Sequence, residues 1–178
     1  DIYTSQKYWY SIAIPRGWEL YVESDEAVAI WDRWQTGAGV WVTVKEVDVD
    51  LYPTITSYAA DWAPVAGEGM SNFGITSEGS IRTGKPNEAY EFNSSYLYDN
   101  EWWQSTDHWY LLGNLLITVE GSAVEEVGTL DYYSNAKQAL LSTLESFNPS
   151  GYYSAEYGYS VAHPIDWTIS ESAVYEYS

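Results

Sequence analysis

One pattern of eight residues occurs twice in this chain at an unbroken distance, and it limits how the 178 residues can be divided. Tyr3, Ser5, Tyr8, Tyr10, Ser11, Ala13, Pro15 and Trp18 return as Tyr152, Ser154, Tyr157, Tyr159, Ser160, Ala162, Pro164 and Trp167, each 149 positions on. Ile12/Val161 and Leu20/Ile169 add apolar matches. Self-similarity at a fixed offset marks a structural unit met a second time. Residues 1–148 therefore read as one complete unit, residues 149–151 as a linker, and residues 152–178 as the opening strands of a truncated second copy. A unit of about 150 residues buries a core of its own. The stub does not, so it is expected to form a hairpin that adds to a sheet edge, of its own unit or of a second chain in a homodimer.

Within the first unit the local patterns alternate between two periods. Tyr8, Tyr10, Ile12 and Ile14 recur every second residue, as in a strand, until Pro15-Arg16-Gly17 ends the run. Residues 27–32 read as a second strand. Gly37-Ala38-Gly39 turns into a third, with Val40, Val42 and Val44 on one face and Trp41, Thr43 and Lys45 on the other. After Pro53 the spacing changes, and Ile55, Tyr58, Ala59 and Trp62 form a helical stripe that Pro64 stops. Residues 72–83 read as one or two strands broken by Gly74 and Gly79. Tyr90, Phe92, Ser94, Tyr96 and Tyr98 share a strand face, Asp99-Asn100 turns the chain into residues 101–112, and Gly113-Asn114 into residues 115–121. Tyr133, Ala136, Leu140, Leu141, Leu144 and Phe147 repeat at spacings of three and four, a closing helix that Asn148-Pro149 ends. The fold class is α+β, a mostly antiparallel sheet with two helices.

The opening strand Tyr-x-Tyr-Ser-Ile-x-Ile-Pro-x-Gly-Trp (Tyr8 to Trp18), a helix before a long meander, and a closing helix ending Leu-x-Ser-Phe (Leu144 to Phe147) together resemble the PsbP-like fold. That fold is shared with the Ran-binding Mog family and with exported bacterial lipoproteins. The resemblance covers residues 3–148 and, for the opening strands, 152–178. It implies an α/β/α sandwich in which helices flank the sheet, serving as a binding or assembly module without a catalytic centre. The strongly acidic charge, and the lack of any motif for metal or photosystem contacts, separate the chain from the photosynthetic members.

Composition excludes several functions outright. Seven bases against 26 acids give 7 − 26 = −19, which leaves nothing to neutralise phosphates, so nucleic acid is not a partner. Without cysteine there are no disulfides, thiolate metal sites or cysteine nucleophiles. No stretch approaches the roughly 20 apolar residues of a spanning helix. Together with the resemblance, this suggests an extracytoplasmic or secreted location, with or without a lipid anchor on the full-length protein.

Candidate chemistry is sparse. Ser105, Asp107 and His108 carry the letters of a triad, but on a strand Asp107 and His108 point to opposite faces, so the three are not expected to converge as a relay. His163 has no second ligand near it in sequence. Asp48 and Asp50, with Glu46, are candidate oxygen ligands for a hard cation such as Ca²⁺, though without EF-hand spacing. Glu125-Glu126 suits the N-terminal end of the closing helix. The aromatics are the main functional hint, since 18 Tyr and 10 Trp combine large apolar bodies with polar tips. Tyr96, Tyr98, Trp102, Trp103 and Trp109 crowd one hairpin; most are expected to be core, and those left exposed are candidate ligand-binding positions. The favoured reading is a non-catalytic module binding a protein or carbohydrate ligand, with no cofactor. The alternative is a hydrolase with a carboxylate-based site, acting on glycans.

Overall fold

A computed structural model describes residues 1–8, 10–32, 37–82, 88–125, 130–149, 151–154 and 159–162. Glu126 and His163, and the end of the repeat beyond residue 162, lie outside the described residues. The chain opens with a hairpin, β1 (Ile2–Ser5) and β2 (Tyr10–Ala13), so the first strand expected from sequence begins two residues later than Tyr8 and has a partner before it. A seven-stranded antiparallel sheet follows. Its strands are β3 (Trp18–Ser24), β4 (Ala27–Asp32), β5 (Gly39–Glu46), β6 (Ser71–Ile81), β7 (Ala89–Tyr98), β8 (Glu101–Leu112) and β9 (Leu115–Val124), in the order β3-β4-β5-β9-β8-β7-β6. Two meanders thus meet where β5 pairs with β9.

Helix α1 (Ile55–Trp62) lies between β5 and β6 and continues into a single 3₁₀ turn, Ala63–Val65, that contains Pro64. Its start is fixed by a capping box. The Ser57 amide donates to Thr54 Oγ1 at 3.1 Å, and the Thr54 amide donates to Ser57 Oγ at 3.2 Å. Helix α2 (Leu130–Ser146) closes the unit. The prolyl segment beyond it does more than stop the helix, because β10 (Asn148–Pro149) pairs with Ser11 and Tyr10 and completes a small β1-β2-β10 sheet. Residues expected to begin a linker are therefore tied to the first unit.

The two faces of the large sheet have different covers. On one face Val28, Ile30, Val40, Val42, Ile117, Val119 and Tyr110 meet Ala136, Leu140, Leu144 and Phe147 from α2, together with Tyr10 and Ile12 from the small sheet. The Tyr110 ring lies 4.8 Å from that of Phe147, and Phe147 lies 5.2 Å from Tyr10, so three aromatic rings fill the centre. Leu141, expected on the same stripe, is 38 % exposed because its position rotates it off the buried arc. On the opposite face Ile55, Tyr58 and Ala59 of α1 pack on Phe92, Trp109 and Leu116. Trp62, also expected on the buried stripe, is exposed, and its ring stacks on Tyr58 instead. This is the expected α+β sandwich, with each helix on its own face.

Besides β1, sequence periodicity left out β3. Trp18, Leu20 and Val22 alternate with Glu19, Tyr21 and Glu23, yet β3 is an edge strand exposed on both faces, so its alternation reflects no burial contrast.

The repeated segment forms β11 (Gly151–Ser154) and β12 (Tyr159–Ala162). Their pairing, Gly151 with Ala162 through Ser154 with Tyr159, is that of β1 and β2, Ile2 with Ala13 through Ser5 with Tyr10, with every number raised by 149. The expected addition to a sheet edge of its own unit is not what forms. The hairpin is a separate two-stranded sheet, because its residues pair with each other in the register that their first copies use.

Candidate functional site

The α1 face of the sheet is built in cross-strand rows. One row is Trp41 on β5, Glu120 on β9, Asp107 on β8 and Phe92 on β7. The next is Gly39, Ser122, Ser105 and Ser94, all small and all buried. Beyond it come Val124, Trp103 and Tyr96. A row of one glycine and three serines between rows of large rings leaves a depression, and α1 covers only the Phe92 and Trp109 end of the face. The result is a cleft of about 650 Å³ lined by Trp41, Tyr96, Tyr98, Trp103, Glu120 and Ser122, with Glu68 to Ser71 of the turn after α1 as one rim. That volume is in the range of small-molecule sites.

Three of the five aromatics singled out from sequence come together here. Tyr96, Tyr98 and Trp103 line the cleft, and Trp103 stands edge-on to Tyr98 at 6.4 Å. Trp102 is an immediate neighbour of Trp103 and points to the other face, 45 % exposed. Trp109 is on the cleft face but buried under α1, stacked on Phe92 at 5.4 Å. Periodicity gave no warning of Trp41. Its ring folds back over Gly39, where an added Cβ would come within 2.6 Å of it, so the glycine makes room for a wall of the cleft.

Glu120 at the floor has a second acid beside it, Asp107, which the sequence reading did not pair with it. Asp107 and Glu120 face each other across β8 and β9. Ser105 Oγ donates to Asp107 Oδ1 at 2.7 Å. Burial, and for Asp107 also the charge of Glu120, hold both carboxyls above the ordinary carboxylate range, with the Ser105 hydrogen bond opposing at Asp107. Tyr96 is raised as well, mainly by burial and further by Glu120 and Asp107, against a lowering contact with Ser122. Neighbouring like charges in a partly buried setting disfavour both carboxyls ionising together.

Ser105 and Asp107 therefore do meet, as residues two apart on one face, while His108 lies on the other. His108 is buried with Nε2 3.2 Å from Glu91 Oε2, and burial lowers its pKa and keeps the ring neutral. No relay forms. Asp48 and Asp50 sit in an exposed turn, where Asp48 Oδ1 accepts the Asp50 amide at 2.9 Å. Among the described residues no three His, Asp or Glu side chains are grouped to hold a metal ion, and no helix among them is long and apolar enough to cross a membrane.

No protein-family model and no curated protein matches the chain. Solved structures do. LpqN of Mycobacterium tuberculosis, described as involved in cell envelope biogenesis, is similar with a TM-score of 0.55 and 13 % identity, over 78 % of this chain and 82 % of that one. The Saccharomyces cerevisiae Ran-binding protein Mog1p is similar with a TM-score of 0.52 and 11 % identity, over 84 % and 94 %. A protein of Bacteroides thetaiotaomicron is similar with a TM-score of 0.54 and 8 % identity, over 85 % of this chain. The match spans about half (51 %) of that protein's length. At these identities the likeness is one of fold, and it agrees with the fold implied by the opening and closing motifs.

Proposed function

We propose that the chain is a binding module and that the aromatic cleft beside α1 is its ligand site. The observation that carries this reading is the uncovered half of the sheet face. Four aromatic side chains converge on a built depression instead of filling the core, and an exposed apolar concavity with a few polar groups is the usual form of a recognition site. A carbohydrate or a protein segment offers the flat apolar surface that such rings accept. Support for a binding role also comes from the fold itself, which a Ran-binding protein and a cell-envelope protein share. The envelope relative favours an extracytoplasmic location. The 149-residue offset, kept in the register of two hairpins, favours tandem units in the full-length protein, with residues 151–162 opening the second.

The test exploits two adjacent tryptophans. A panel of soluble glycans and peptides is screened by saturation-transfer NMR against the wild type, Trp103→Ala and Trp102→Ala. The expected result is loss of response in Trp103→Ala and its retention in Trp102→Ala, which faces away. Equal responses in the two variants would remove the cleft from consideration.

The hydrolase reading has one observation in its favour, the pairing of Asp107 with Glu120, of which Glu120 lines the cleft. Glycoside hydrolysis needs one protonated and one ionised carboxyl placed on either side of a scissile bond. Here the two are direct cross-strand neighbours, and burial moves both in the same direction. Turnover of chromogenic glycosides that disappears in Glu120→Gln would establish that reading over ours.

A further inference from the structure

The cleft has an unusual balance of charge. Four aromatic side chains wall it, Glu68 and Asp99 stand at its rim and Glu120 at its floor, and no lysine or arginine among the described residues lines it. Three of the described bases are engaged elsewhere. Lys7 bridges to Glu26, and Arg82 donates to the Tyr110 hydroxyl on the opposite face. On the cleft's own face, Lys45 lies over the rings of Tyr58 and Trp62, 4.9 Å from the Trp62 centroid. That contact shows what this face does with a cation: it is held against an aromatic ring. At the floor, Glu120 has Asp107 as its cross-strand neighbour, and among the described residues no base lines the cleft to face its carboxylate.

The geometry points to an organic ammonium cation as the ligand of the cleft, its charge facing Glu120 and its carbon substituents resting on Trp103, Tyr96 and Tyr98. The assignment rests on the cleft being the binding site proposed above and adds the charge of what it takes. A metal ion suits the walls less well, because Ca²⁺ takes about six to eight oxygen ligands and the side walls here are the rings of Trp41, Tyr96, Tyr98 and Trp103. An alkylammonium group spreads its charge over carbons that contact aromatic faces directly, so ring walls with a carboxylate at the base serve it well. A methylated ammonium head group and the primary ammonium of a lysine side chain are two sources of this chemistry.

Isothermal titration of the whole chain tests it with three probes: choline, n-butylammonium, and 3,3-dimethylbutan-1-ol, the neutral isostere of choline. The better of the two cations is expected to bind about tenfold or more tighter than the alcohol, and which cation is better identifies the source. Glu120→Gln should weaken the cation about tenfold and leave the alcohol unchanged. Tyr98→Ala alters a residue 66 % exposed, so it leaves folding intact, and it should weaken the cation as well. An alcohol that binds as well as the cations, or cation binding indifferent to Glu120→Gln, would overturn the charge assignment and leave the binding cleft standing. Silence of all three probes while a neutral panel ligand binds through Trp103 has the same meaning. Silence of the probes and of every Trp103-dependent ligand would remove the site itself.

Discussion

Replacing Asp107 by asparagine and Glu120 by glutamine keeps the shape of the pair and removes the proton it holds, and the consequence is a change in how stability depends on pH. Burial lifts the Asp107 carboxyl to about 8, whereas in an unfolded chain an aspartate titrates near about 4. Between those values the folded chain keeps roughly one proton that the unfolded chain has lost. The site's contribution is therefore whole below about pH 4, falls by about 1.4 kcal/mol per pH unit, and is gone above about pH 8. From pH 5 to pH 7 the wild type loses about 3 kcal/mol by this route, out of a total of roughly 5–15 kcal/mol for a domain. His108 works in the opposite sense. Its pKa is lowered by burial, so its contribution is present above its ordinary value of about 6.5 and is lost as pH falls through that range. His108 is common to both proteins, and their difference isolates the carboxyl pair. Urea unfolding followed by tryptophan fluorescence at pH 5, 6, 7 and 8 should show the double variant gaining on the wild type by about 3 kcal/mol between pH 5 and pH 7. Parallel stability curves would refute the raised Asp107 carboxyl.

Phe147→Ala empties the space between Tyr10 and Tyr110 and should cost about 3–5 kcal/mol in urea unfolding, since the ring is only 2 % exposed. Gly121→Ala places a Cβ 2.7 Å from Leu140 Cδ2 and 2.8 Å from Leu144 Cδ1, so α2 must move off β9; a loss of about 1–3 kcal/mol is expected in a thermal melt. Thr54→Ala removes the capping box of α1 and should cost about 1 kcal/mol by the same measurement, with Thr54→Ser close to wild type. Gly39→Ala pushes the Trp41 ring out of the cleft wall, which should change ligand affinity in the NMR screen while the melting temperature moves by only a few degrees.

Much of the fold was legible because burial contrast leaves a period in the sequence. Val40, Val42 and Val44 face α2 while Trp41, Thr43 and Lys45 face the other way, and the alternation in β5 says so directly. The Asp99-Asn100 turn was legible for a different reason. Both residues adopt positive φ, 50° and 66°, a conformation that Asn and Asp tolerate better than other side chains, and few sequences other than Asx or Gly pairs allow such a turn. What stayed hidden depends on strand order. Trp41 and Asp107 are 66 positions apart, and they share a row only because β9 sits between β5 and β8. No local pattern encodes that adjacency, so the fourth wall of the cleft emerged only in three dimensions, whereas the Asp107 and Glu120 pairing follows from the Gly113-Asn114 hairpin register and was there to be read. Leu141 and Trp62 show the converse limit: helical spacing marks a stripe but not the width of the surface available to cover it.

That width explains why the cleft exists. Strand β8 has 12 residues and runs about 40 Å at roughly 3.3 Å per residue. Helix α1 has 8 residues and spans about 12 Å at 1.5 Å per residue. A helix this short shelters one end of the strand and leaves the rest of that face uncovered. Trp103 and Trp109 thus meet opposite fates on a single strand face, one lining a cleft and the other buried under Tyr58 at 5.7 Å. On the other face α2, with 17 residues, reaches about 25 Å and is joined by the small β1-β2-β10 sheet, so that face closes into the main core. Four polar side chains of β8 and β9 lie on the less covered face. Asp107, Glu120, Ser105 and Ser122 lie on the face with the short helix, and of these Glu120 and Ser122 line the open cleft. On the α2 face the neighbouring positions of β5 and β9, Val40, Val42, Ile117 and Val119, are apolar beneath Leu140 and Leu144, and the buried His108 beside them is partnered by Glu91 at 3.2 Å.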